Sequence, residues 1–138
     1  MQTGWFELSI LTFLAWGVWG FVGKIAFNYL DWKEVYFFGI VGSLVVFLIF
    51  YLIAKPSLSI NIGSYLAFIA GFIGTSATLT YYLALEQGKA CIIIPLTALY
   101  PLITLILSIL FLREKITFYQ GVGILLAILA VFLISLER

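Results

Sequence analysis

The sequence predicts an all-α integral membrane protein with five transmembrane helices, and three observations carry that expectation. Hydrophobic residues make up 64% of the 138 and charged residues only 9%, whereas a soluble domain carries roughly a quarter charged residues. The few charges fall in clusters, and the stretches between clusters have the length of a bilayer crossing. A soluble chain of this size would also bury only about two-thirds of its surface, leaving too much apolar area facing water. Lipid removes that mismatch.

The charges divide the chain. No charge occurs in residues 8–23, 35–54, 56–85, 90–112 or 116–136. About 20 residues cross the hydrocarbon core, and a helix satisfies its own backbone groups there. Helices are therefore expected over about 5–27, 35–54, 63–85, 91–112 and 119–136, in a single transmembrane domain spanning 1–138. Glu7 and Lys24 can snorkel to extend the first span. That span starts at Trp5, Phe6 and Glu7 with no basic leader, so it reads as a retained helix rather than a cleaved signal.

The connectors carry turn and cap chemistry. Residues 28–34 form a short polar turn, with Trp32 as an interface aromatic. Pro56 stops the second helix, and Asn61 can cap the third. Glu86-Gln87-Gly88-Lys89 reads as a tight reversal with Gly88 left-handed, its charges weakly interacting in the loop. Residues 113–117 join the last two helices.

Net charge is +1 and there is no histidine, so neither nucleic-acid binding nor a zinc site is expected. Cys91, the single cysteine, reads as a small packing residue. No nucleophile–base pair or phosphate loop is present; no enzyme activity, catalytic residue, metal or cofactor is expected. With the N-terminus on one face, that face receives Lys55, Arg113 and Lys115, and the other receives Lys24, Lys33, Lys89 and Arg138. Orientation follows an excess of Lys and Arg on cytoplasmic loops, and here there is none. Insertion in both orientations is one reading; a single topology set by other features is the alternative.

Three stretches resemble a known repeat. Trp16-Gly17-x-Trp19-Gly20 with Lys24 looks like the start of an EamA-type repeat of the drug/metabolite transporter superfamily. Tyr82-x-Ala84-Leu85-Glu86-Gln87-Gly88-Lys89-Ala90, followed by Pro95-Leu96, is similar to its junction between third and fourth helices. Leu112-Arg113-Glu114-Lys115-Ile116-Thr117-x-x-Gln120-x-x-Gly123 resembles its junction between fourth and fifth. Typical members carry two such repeats in inverted orientation and move small organic solutes. The resemblance thus implies a multi-pass cell-membrane protein with one repeat. As a half-sized transporter, it would obtain its second half from another molecule, as an antiparallel homodimer. Smaller multidrug-resistance relatives use a carboxylate embedded in helix one. The only acid in helix one here is Glu7, near its start, so that chemistry does not carry over.

The candidate solute-binding residues lie on the first, third and fourth helices. Thr12, Trp16, Trp19, Gly20 and Gly23 share one face of the first. Trp16 is near mid-span, where an indole N–H needs a partner; packing against a neighbour and lining a cavity both fit. Thr75 and Thr78 lie on a stripe of small residues in the third helix, which suits close helix packing or, through the hydroxyls of Thr75, Ser76 and Thr78, a pore. Pro101 falls mid-span in the fourth helix and cannot donate to the carbonyl of Thr97, so a kink is expected there. Transporters use such broken helices at midplane sites, which brings in Thr97 and Tyr100 beside a purely structural reading. Lys24 either snorkels to the headgroups or pairs with a solute carboxylate. The rival to a transporter subunit is a membrane scaffold or regulatory subunit without transport.

Overall fold

The computed structural model describes residues 4–136. All regular structure among them is helical: α1 (Trp5–Ala26), α2 (Trp32–Ala54), α3 (Ile62–Gln87), α4 (Ala90–Thr97), α5 (Tyr100–Leu107), a π-helical turn (Ser108–Leu112) and α6 (Phe118–Leu136). The chain divides into two compact units between Gln87 and Gly88, α1–α3 in the first and α4–α6 in the second.

In the first unit, α2 begins three residues earlier than its charges suggested. Asp31 accepts the backbone N–H groups of Lys33 and Glu34, both at 2.9 Å, and Glu34 accepts the N–H of Asp31 at 3.1 Å. This reciprocal cap places the charges inside the first turn, where they satisfy orphan donors and meet the positive end of the helix dipole. At its other end α2 stops at Lys55, which is left-handed (φ 42°) and precedes Pro56. Asn61 caps α3 by accepting from Gly63 and Ser64.

Burial in this unit is concentrated at one end. Among the described residues of this unit, Gly20 of α1, Val35 of α2, and Tyr82 and Leu85 of α3 are buried. Away from that end, side chains such as Phe13, Leu48, Ile53 and Phe68 are exposed, which suits hydrocarbon surroundings.

The second unit departs most from expectation. The fourth helix was expected to run unbroken and kink at Pro101. Instead α4 ends at Thr97, Ala98 and Leu99 have ψ near zero (−3° and −6°), and α5 begins at Tyr100. Pro101 thus sits in the first turn of a new helix, where a missing N–H costs little. Pro95 lies inside α4 and withholds the N–H that the Cys91 carbonyl would otherwise take. α5 then widens into the π turn, which ends at Arg113, left-handed (φ 56°). Gly88 does not take the expected left-handed form: among the described residues Lys55 and Arg113 alone have positive φ. Thr117 and Gln120 cap α6 reciprocally, N–H to side chain, at 2.7 and 3.3 Å. α6 and α4 pack together.

Four helical stretches are long and apolar enough to cross a membrane: Trp5–Ala26, Trp32–Ala54, Ile62–Gln87 and, counting through its break, Ala90–Leu112. The apolar run of α6, Phe118–Ile134, is shorter.

Candidate functional site

The buried end of the first unit is built around Tyr82. Its ring lies 5.9 Å from Trp19, 6.2 Å from Phe27 and 6.4 Å from Tyr36, centroid to centroid, so one α3 side chain meets α1, the loop after it and α2. Trp19 stacks on the neighbouring Tyr81 at 5.3 Å and 18°. Two glycines admit the tyrosine. A Cβ on Gly23 would stand 3.6 Å from its ring, and one on Gly39 would stand 3.4 Å from its hydroxyl.

Two charged side chains tie the same end. Lys24 donates to the carbonyl of Leu85 at 2.6 Å, joining the last turn of α1 to that of α3, where cations are favoured by the helix dipole. Glu86 accepts the backbone N–H of Trp32, the first residue of α2, at 3.0 Å. Glu86 is therefore no weakly interacting loop charge: it is helical and caps a different helix. Lys24 does not simply snorkel away, because its ammonium is held by a backbone oxygen.

Above this end, a cleft of about 400 Å³ opens between α2 and α3. Trp19, Tyr36 and Tyr82 supply its rings, and Ser43, Thr75 and Thr78 its hydroxyls. Gly71 and Gly74 make room, with nothing within 4 Å of where their Cβ atoms would stand. Each hydroxyl is committed as a donor one turn back: Ser43 to Gly39 at 3.0 Å, Thr75 to Gly71 at 2.9 Å, Thr78 to Gly74 at 3.0 Å. What they still offer is lone pairs. Tyr36 reaches the Thr75 carbonyl at 3.5 Å. A second hollow, an apolar groove of about 700 Å³ along α1 and α2, shares Trp19, Gly39 and Tyr82 with the cleft.

Of the residues singled out from sequence, Trp19, Thr75 and Thr78 meet in the cleft. Trp16 lines neither hollow, and its side chain is 58% exposed. Thr97, Tyr100 and Pro101 belong to the second unit. There Thr97 donates to the carbonyls of Ile93 and Ile94 at 2.8 and 3.0 Å, and Tyr100 is exposed at the start of α5. Sequence reasoning missed Tyr36, Ser43 and Tyr82. Tyr36, Gly39 and Ser43 do fall at helical spacing on one face of α2, inside the span expected from sequence, but small residues at that spacing read equally as helix packing.

With this geometry in view, the model of the EamA-like transporter family matches residues 4–136. The chain belongs to that family. It is a repeat-sized, multi-pass member of a membrane transporter family within the drug/metabolite superfamily. One relative is an uncharacterized protein of Methanocaldococcus jannaschii, 34% identical over 134 residues that cover 95% of this chain and 96% of the relative. No solved structure matches.

Proposed function

We propose that the protein is one half of a solute transporter. Two copies inserted in opposite orientations enclose a pathway for small organic solutes and open it to each side in turn. α6 serves as the fifth crossing, since a helix of its length reaches the lower end of the range that spans hydrocarbon. The observation that carries this reading is the cleft: rings and hydroxyls gathered around a space in the size range of small-molecule sites, inside helices whose outer faces are hydrocarbon. Trp19, Thr75 and Thr78 bind solute there with Tyr36 and Tyr82, and Trp16, Thr97, Tyr100 and Pro101 complete the pathway. Pairing is supported by the repeat-sized match, by a relative of the same span, and by the balance of three cationic residues on one face against four on the other.

A membrane scaffold without transport is favoured by one observation, the back-bonded hydroxyls, which are satisfied without any solute. Orientation separates the two. Four lysines added beside Ser57, which would make the balance seven against four, should force a single orientation and abolish uptake by reconstituted protein, and co-insertion of an oppositely biased variant should restore it. Uptake by the single-orientation population would refute the antiparallel pair. Absence of uptake from a mixed population would favour the scaffold.

A further inference from the structure

The transport reading leaves the solute's chemistry open, and the cleft narrows it. Among the described residues every charged one falls within about one turn of a helix end or outside the helices, and the sequence has no histidine. The middle of each span is thus uncharged in every copy of the chain. Around the cleft, the protons of Ser43, Thr75 and Thr78 are committed to the carbonyls of Gly39, Gly71 and Gly74, so those hydroxyls meet a solute as acceptors. The rings of Trp19, Tyr36 and Tyr82 add flat apolar surface.

We infer that the cleft takes an uncharged solute that presents hydrogen-bond donors beside a planar face; this rests on the transport reading above. A carboxylate or phosphate would exchange its hydration for the lone pairs of Ser43, Thr75 and Thr78 and at most the neutral phenol and indole donors of the rings, with no cation in the cleft to offset desolvation. An ammonium would find acceptors and ring faces but no carboxylate, and attraction to the rings repays only part of the hydration it gives up. An uncharged donor-bearing solute loses least on entry and finds a partner for each donor.

A matched trio of labelled probes tests this: adenosine, adenosine 5′-monophosphate and 5′-amino-5′-deoxyadenosine, which are neutral, anionic and cationic on one planar scaffold. Each is offered to purified protein by equilibrium dialysis and to liposomes carrying it. Adenosine should bind, and its saturable uptake should exceed that of both charged analogues at least about tenfold, the scale of one unpaired buried polar group. Thr75→Val and Thr78→Val, which keep side-chain shape and orphan no backbone group, should each raise the half-saturation concentration about five- to tenfold. Valine variants that match the parent in adenosine half-saturation would overturn the acceptor role. Binding or uptake of a charged analogue at or above the adenosine level would overturn the inference while leaving transport standing. Adenosine binding with no uptake would uphold the inference and remove the transport reading. Failure of adenosine to bind would end the inference directly.

Discussion

Tyr82 shows how much a single side chain can hold at a membrane helix junction. Lipid is as apolar as leucine, so burying its ring gains little by transfer, and what it contributes is packing against neighbouring rings. Tyr82→Ala should therefore cost about 1–3 kcal/mol, read as a lower midpoint of detergent-induced unfolding. Tyr82→Phe should cost less, because every ring contact survives; equal losses would mean that the hydroxyl, not the ring, organises the junction. Lys24→Met should also loosen this end, by about 1.5–3 kcal/mol for a charged hydrogen bond, and Lys24→Arg should recover part of the loss. An unchanged midpoint for Lys24→Met would place the ammonium's role elsewhere. Trp19 was legible in the sequence because helical spacing puts it on one face with Gly20 and Gly23 and because it belongs to the stretch that resembles the repeat's start. Tyr82 was visible only as part of a motif. Its partners lie 46 to 63 positions away in the numbering, on Phe27, Tyr36 and Trp19, and no local periodicity reports that distance.

At the scale of elements, charge clusters located the helices and misjudged some of their ends. A charge reads as solvent, yet Asp31, Glu34 and Glu86 all spend theirs on the N-terminus of α2. The third of these comes from another helix, which no reading of one segment could supply. A kink at Pro101 was anticipated, but its form was not: α4 ends at Thr97 after eight residues, with Pro95 inside it, and Ala98 and Leu99 form the joint before Pro101. Pro101→Ala restores an N–H within reach of the Thr97 carbonyl. Amide exchange across 98–101 should slow as the two helices fuse. If the joint moves during transport, uptake should fall more than solute binding. Slower exchange with unchanged uptake would make the joint a static feature of packing. The Gly39 position belongs to this scale as well, since α2 and α3 approach there. Gly39→Leu should fill the cleft beside Tyr82 and block uptake, whereas Gly39→Ala, whose Cβ would meet the tyrosine hydroxyl at 3.4 Å, should be tolerated. Equal uptake by the leucine variant would move the solute path out of this cleft.

Across the whole molecule, membrane residence and the repeat were plain from the sequence, because hydropathy and spacing record the solvent a chain was made for. The cleft was only half legible, because hydroxyls that pack and hydroxyls that bind look alike until their protons are traced. The two left-handed residues have a further consequence. Glycine would ease the backbone at Lys55 and Arg113 by about 1 kcal/mol each, and a designer idealising the helix ends would make that exchange first. In the proposed five-crossing arrangement both cations belong to the same face, with only Lys115 beside them. The double glycine variant should therefore melt later and yet leave one cation opposing four, so that the translocation machinery delivers nearly every copy one way up. A better-folded protomer would then accumulate with no counterpart to join. The strain at these two helix ends would thus be the cost of an even traffic across the membrane, and stability screens alone would select the variant that cannot assemble.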